Sequence, residues 1–242
     1  MLEIKNLFVE YPDKTRVVND FSLTVKDGES VALVGANGAG KTSLIMALVG
    51  ILPSKGEVIA DEITLSKNTE NDIRQKIGVV FQNPDDQLFM PTIYDDIAFG
   101  PRNMGLDEET VKRRVNDSLS RLNIAHLAEK TPLKMSGGEK RMAAIATVLA
   151  MRSPIMLMDE PTAYLDPRAR RSLIRTVNSF PHTRLIATHD LLFAAETCDR
   201  TVLIKNGAVL ADGKSENLLY DEKLMEDCGV EAIGVYDRGV KL

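Results

Sequence analysis

A chain of 242 residues, 44% of them apolar, is long enough to bury a sizeable core. Its 35 acidic side chains outweigh 30 basic ones, a net charge of −5 that argues against a general grip on nucleic acid. No secretion signal opens the sequence, no run approaches the ~18 unbroken apolar residues of a membrane span, and Cys198 and Cys228 lack metal-type spacing; a cytoplasmic chain that meets a membrane only through a partner is expected.

Alternating apolar residues at Leu2, Ile4, Leu7 and Val9, then at Phe21, Leu23 and Val25, predict two antiparallel strands closed by the turn Lys26-Asp27-Gly28. The unbroken apolar run 30–34 predicts a strand buried on both faces, followed by a glycine-rich loop and a helix over 41–49. Short strands are expected around 57–59 and 77–81. From Asp85 to Met151 the pattern is helical. Val111, Val115, Leu119 and Leu122 recur at helical spacing within 106–122, and 138–151 reads as a further helix. Strands at 155–158 and 184–187 then flank a charged helix at 168–179. Asn206-Gly207, between strands at 202–205 and 208–211, is a strong hairpin signal. A short helix is expected at 221–227, and the tail reads either as a dimer contact or as a mobile end. The sum is one α/β domain over 1–242, with a parallel-sheet core, an N-terminal antiparallel β-subdomain and a helical insertion at about 83–152.

Gly35-Ala36-Asn37-Gly38-Ala39-Gly40-Lys41-Thr42 fits G-x-x-x-x-G-K-[ST] after a buried strand and at the start of a helix. The glycines let backbone N–H groups close around phosphates, and the positive end of the helix attracts the anion. Lys41 would reach the β- and γ-phosphates and Thr42 would offer a hydroxyl to Mg²⁺. The expected binding set is Gly35, Asn37, Gly38, Ala39, Gly40, Lys41, Thr42 and Ser43, with ATP as the ligand. The loop alone does not separate kinases, GTPases and transporters.

The apolar strand 155–158 runs out in Asp159-Glu160-Pro161. A strand buried on both faces does not normally end in two acids unless they face a cation or water. Asp159 suits the Mg²⁺ shell, and Glu160 suits a general base or water-positioner for attack on the γ-phosphate. In Met135-Ser136-Gly137-Gly138-Glu139, Ser136 and Glu139 form an S-x-x-E capping box that needs no functional explanation. Two glycines in a first helical turn each cost about 0.8–1 kcal/mol relative to alanine. They make sense if something anionic must come close.

These motifs, in this order and with His189 after them in Thr188-His189-Asp190, resemble the ABC ATPases over residues 2 to about 220. The resemblance implies a P-loop, RecA-like core and transport-coupled ATP hydrolysis. It further implies that Ser136, Gly137 and Gly138 face the γ-phosphate of ATP held by a second ATPase subunit, identical or paralogous, in a head-to-tail dimer. It assigns Tyr11 to adenine stacking, Gln82 to sensing Mg²⁺ and the attacking water, Asp166 to the loop that crosses the dimer, and His189 to the γ-phosphate. Each has a plainer reading: Tyr11 as a strand-edge aromatic, Gln82 as a loop polar residue, Asp166 as a helix N-cap, His189 as a strand-end residue. The sequence departs from the family at Ala36 (usually proline), at Met135 and Glu139 of the signature, and at Tyr164, where a small residue is frequent. A carboxylate at Glu139 would repel a γ-phosphate unless it folds back on Ser136.

No lysine or arginine occurs from Ile77 to Pro101, while Asp85, Asp86, Asp95 and Asp96 lie among apolar residues. This suits a docking surface for a basic, amphipathic partner helix, although Asp95 also fits a local cap with Thr92. The segment resembles the ATPases of energy-coupling-factor (ECF) importers, above all the cobalt/nickel branch. That resemblance implies a transmembrane coupling protein and a membrane substrate-capture subunit as partners, a peripheral place on the cytoplasmic face of the membrane, and no nucleic acid. Vitamin import and a soluble ABC ATPase acting on nucleic acid or ribosomes are the alternatives.

Overall fold

The structure is a computed structural model and describes residues 1–180 and 182–234. The expected role of the extreme C-terminal tail therefore falls outside the described residues.

Two sheets carry the chain. Strands β1 (Leu2–Glu10), β2 (Arg16–Val25), β4 (Ser54–Ala60) and β5 (Ile63–Thr64) form an antiparallel sheet in the order β2-β1-β4-β5. The apolar alternation changes phase between Ile4 and Leu7, and again between Val18 and Phe21. The structure gives the reason: Asn6 and Asp20 take positive φ, at 46° and 51°, and the register slips beside each. The two irregularities are tied together, Asn6 Nδ2 donating to Asp20 Oδ1 at 2.8 Å. The slips keep Leu2, Ile4, Leu7, Val9, Val18 and Phe21 all on the buried face.

The second sheet has the order β10-β9-β3-β8-β7-β6, from β3 (Ser30–Val34), β6 (Ile77–Val80), β7 (Ile155–Asp159), β8 (Thr183–Ala187), β9 (Arg200–Lys205) and β10 (Ala208–Lys214). All its pairings are parallel except β9 with β10. Every residue of β3, β7 and β8 is buried, because layers cover both faces. Ala32, Val34, Met156 and Met158 join one core with the helices, and Val31, Leu33, Ile155 and Leu157 join the other with the antiparallel sheet.

Helix α1 (Lys41–Leu48) follows β3, and α2 (Glu70–Lys76) precedes β6. Between β6 and β7 come α3 (Ile93–Asn103), α4 (Glu108–Arg121) and α5 (Gly137–Met151). Helix α6 (Pro167–Asn178) leads to β8 and α7 (Leu191–Thr197) to β9, with α8 (Ser215–Leu218) and α9 (Glu222–Cys228) closing the described chain. Mixed α/β architecture with an antiparallel and a parallel sheet is as the sequence predicts. Helices α2, α7 and α8 and strand β5 were not predicted; none exceeds seven residues, too short for a periodic signal.

Strands β3, β8, β7 and β6 are neighbours running the same way, so the loops after them open along one edge. The phosphate loop leaves β3, Asp159 and Glu160 end β7, His189 follows β8, and Gln82 follows β6. A ligand crevice outside the carboxyl ends of the strands is the general consequence of such a sheet.

Candidate functional site

A cleft of about 430 Å³ at that edge is lined by Tyr11, Val17, Asn37, Gly38, Gly40, Lys41, Thr42, Ser43, Gln82, Asp159 and Glu160. The loop that forms its floor is held tightly. Gly40 has φ +101°, and a Cβ there would lie 2.2 Å from the Val17 carbonyl oxygen, so only glycine fits. The hairpin tip braces the loop from outside: Gly207 N–H donates to the Ala39 carbonyl at 3.1 Å, and Asn19 N–H donates to the Gly207 carbonyl at 2.9 Å. The sequence marked Asn206-Gly207 as a hairpin but gave no hint of this bracing.

Lys41 is 7% exposed and its ammonium donates to the carbonyls of Gly35 at 2.6 Å and Ala36 at 3.1 Å. Burial pushes its pKa below the usual lysine range, while the charges of Glu160 and Asp159 pull it back. Thr42 Oγ1 donates to Asp159 Oδ2 at 2.7 Å. The other carboxylate oxygen, Asp159 Oδ1, is buried without a hydrogen bond. Burial also pushes the Asp159 carboxyl above its ordinary range, opposed by the Thr42 bond and the Lys41 charge. An orphaned carboxylate oxygen beside a threonine hydroxyl fits a hard divalent cation. Among the described residues no three His, Cys, Asp or Glu side chains gather to hold a metal, so a cation here would complete its shell with nucleotide oxygens and water.

Glu160 sits at φ +46°, an unusual conformation for a glutamate, and is 5% exposed. Its Oε2 accepts from Thr188 Oγ1 and from the His189 backbone N–H, each at 3.2 Å, and lies 2.8 Å from His189 Nδ1. All these contacts fall on one oxygen. His189 itself is well exposed, its side chain at 66%. Asp190, which the sequence reading passed over, fixes this turn: it caps α7 by accepting from Phe193 N–H at 2.8 Å and takes two hydrogen bonds from Arg170, at 2.7 and 2.9 Å. Burial would raise its pKa, but those bonds and the Arg170 charge hold it below the ordinary aspartate value.

Tyr11 lies at the cleft edge, 37% exposed, with its hydroxyl 2.8 Å from Ser43 Oγ. Gln82 lines this cleft and also a neighbouring one of about 560 Å³, which it shares with Thr42, Asp159 and Tyr164.

Ser136, Gly137, Gly138 and Asp166 do not line the cleft. Ser136 and Gly137 are exposed at the start of α5, where the capping box is complete: Ser136 Oγ accepts from Glu139 N–H at 3.2 Å and Glu139 Oε2 accepts from Ser136 N–H at 2.8 Å. Lys130 binds the other Glu139 oxygen at 3.1 Å. The Ser136 N–H bond and then Lys130 hold the Glu139 carboxyl below its usual range, so its charge is folded back and neutralised. Tyr164 packs over Gly137, where an added Cβ would come within 3.1 Å of the tyrosine Cβ. Asp166 caps α6, accepting from Ala169 N–H at 2.7 Å, which is its plainer reading.

The row of aspartates needs correction. Asp96 is 3% exposed, and its Oδ1 accepts from the N–H groups of Phe89 and Met90, both at 2.9 Å, so it shapes the loop from inside. Asp85 pairs with Lys140 at 2.6 Å and Asp95 with Arg102 at 3.5 Å. The stretch without basic residues is thus supplied with cations from outside it, by Lys140 on α5 and by Arg102 near the end of α3 itself. Asp85 and Asp86 stay exposed, beside an apolar pair. Phe89 and Phe99 are 63% and 40% exposed and meet edge to face at 5.0 Å. They line a groove of about 260 Å³ together with Ile51, Asp86 and Met151.

Comparison with known proteins agrees with this arrangement. The family profile described as "ABC transporter" matches residues 18–163. A Geobacter sulfurreducens protein named as an ABC transporter ATP-binding protein is 45% identical over 96% of this chain and 93% of its own length. An energy-coupling factor transporter ATP-binding protein of Methanothermobacter thermautotrophicus is 41% identical over 93% of this chain and 74% of its own. Among solved structures, cbiO1 from Clostridium perfringens, part of the ABC transporter complex cbiONQ, is 33% identical with a TM-score of 0.81, covering 93% of each chain. An ATP-binding cassette in a dimeric post-hydrolysis state with ADP and Pi is 26% identical with a TM-score of 0.79, over 89% of this chain and 99% of that one.

Proposed function

The chain belongs to the ABC transporter family as an ATP-hydrolysing, ECF-type subunit, and on that premise we propose that two such chains close head to tail over ATP to drive a membrane importer. The carrying observation is a division. The phosphate loop, both carboxylates and Gln82 surround one cleft, while the Ser136-Gly137-Gly138 helix start, exposed at Ser136 and Gly137, lies outside it. A second chain laid head to tail would bring its helix start over the open side of this cleft, where the N–H groups of Gly137 and Gly138 would meet the γ-phosphate. The whole chain is read as one nucleotide-binding domain with the 83–152 helices as its insertion.

In this reading Lys41 exchanges its two carbonyl bonds for β- and γ-phosphate oxygens, and the N–H groups of Asn37 to Lys41 cradle the phosphates. Gly35, Ser43 and Tyr11 complete the binding set, Tyr11 beside the adenine. Thr42, Asp159 and Gln82 would hold Mg²⁺, which neutralises charge developing on the γ-phosphoryl group. Glu160 takes the proton of the attacking water, and among the described residues its Oε1 makes no hydrogen bond that would compete. His189 holds Oε2 in the open chain and turns to the γ-phosphate when the dimer closes. Asp166 lies in the segment crossing to the partner chain. Glu139, folded back, adds no repulsion at the signature.

The groove of Phe89, Phe99, Ile51 and Met151, with Asp86 at its side, receives the transmembrane coupling protein, placing this chain on the cytoplasmic face of the membrane. A separate membrane subunit captures the substrate, and the resemblance of the segment 77–101 to the cobalt/nickel branch of these importers points to cobalt or nickel ions. The test is co-expression with the membrane proteins encoded beside it. Wild-type chain co-purifies with them and restores uptake of cobalt or nickel; Phe89→Asp keeps ATP binding and loses both. Restored uptake of a vitamin with no metal uptake overturns the substrate, and normal assembly of Phe89→Asp overturns the groove.

A further inference from the structure

Arg141 is the largest fully buried side chain among the described residues, at 0% exposure, one turn into α5. A buried guanidinium costs several kcal/mol unless its donors are satisfied, and no described carboxylate forms an ion pair with it. Its partners are two successive backbone carbonyls, and its Nε is left buried without a hydrogen bond. Nη1 donates to Phe81 O at 2.6 Å, and Nη2 donates to Gln82 O. Successive residues of a strand face opposite sides, so two successive carbonyls turned to one planar fork mark the point where the chain leaves β6 and bends. That bend sets the direction of Gln82. The Gln82 side chain makes no hydrogen bond of its own among the described residues, so its backbone is what places it.

A second fastening acts on the same bend. Gln87 Oε1 accepts from Phe81 N–H at 3.2 Å, while its Nε2 donates to Ala144 O at 2.9 Å and Thr147 Oγ1 at 2.7 Å, both on α5. Every backbone polar group of Phe81, and the carbonyl of Gln82, is thereby tied to the helix that begins with Ser136-Gly137-Gly138. A methionine or leucine would fill the space that Arg141 occupies. The guanidinium is there for its fork.

We infer that Arg141 is a positioning residue for hydrolysis: it holds the Phe81–Gln82 backbone against α5, so that Gln82 and the signature helix start move as one body. A shift of α5 toward a second chain then changes where Gln82 stands in its own cleft. This rests on the reading of Gln82 as a group acting at the Mg²⁺ and water side of the site.

A double-mutant cycle tests it, with Arg141→Met, Gln82→Ala and the pair, measured as steady-state ATPase of the purified full chain. Each single variant loses about 10–100-fold in kcat with KM for ATP moving less than about 3-fold, and the pair is no worse than the weaker single, as for groups that act as a unit. Arg141→Lys, which keeps the charge but cannot fork to both carbonyls, falls between. Multiplying losses in the pair, or wild-type kcat in Arg141→Met, overturn the role of Arg141 while Gln82 stands. Wild-type kcat in Gln82→Ala overturns the reading of Gln82 and this inference with it. If thermal unfolding shows that Arg141→Met does not fold, Arg141→Lys and Gln87→Leu serve in the same cycle with the same criteria.

Discussion

Asp159 shows how one residue can be uncomfortable alone and useful in context. It is 2% exposed, one oxygen satisfied by Thr42 and the other without a partner. Burial raises its pKa in the folded chain, so folding disfavours the ionised form. The sign follows from linkage: the penalty is absent below the pKa of the unfolded chain and complete above that of the folded one. Asp159→Asn should therefore stabilise the nucleotide-free protein near pH 7.5, on the order of 1 kcal/mol by the usual size of single-site effects. The gain should shrink toward pH 4.5. Urea unfolding of both proteins at the two pH values checks this, and an equal midpoint at both would show that the buried charge costs nothing. At this scale the sequence disclosed residues whose chemistry is their meaning, such as Lys41, Asp159 and Glu160. It hid those defined by burial. Asp96 reads as surface acid and is a backbone anchor; Arg141, which no pattern in the sequence singles out, is fully buried.

Elements were legible where a pattern ran long enough. The helices 108–121 and 137–151 and the buried strands stand within two residues of expectation, because their periodicity persists for a turn or more on either side. Strand β2 begins at Arg16, well before the apolar run at Phe21, since the positive φ at Asp20 breaks the alternation. Contacts between distant elements leave no mark in sequence. The hairpin tip illustrates this: its φ values of 51° at Asn206 and 77° at Gly207 suit a tight two-residue turn, and a Cβ on Gly207 would come within 2.5 Å of the Val17 carbonyl oxygen. Gly207→Ala should push the tip off the phosphate loop, at a cost of about 1–3 kcal/mol for the strained backbone. Equilibrium titration with a fluorescent ATP analogue should then show several-fold weaker binding. Unchanged affinity would mean that the bracing of Ala39 is incidental.

At the scale of the molecule, one fact of topology does most of the arranging. Parallel neighbours β3, β8, β7 and β6 bring four separate segments to one edge, and the intervening helices carry Ser136-Gly137-Gly138 away from it. The motifs and their order were legible in the sequence; their separation into a cleft and an exposed helix start needed the structure. That separation is why the account requires two chains for one working site. The direct measurement is the mass of Glu160→Gln in solution with and without Mg-ATP, alongside its turnover. With the proton acceptor removed and binding intact, turnover should fall by about 10²–10³, and Mg-ATP should convert monomer to a stable dimer that Lys41→Ala does not form. A Glu160→Gln protein that stays monomeric under saturating Mg-ATP, or hydrolyses it at the wild-type rate, would contradict the account.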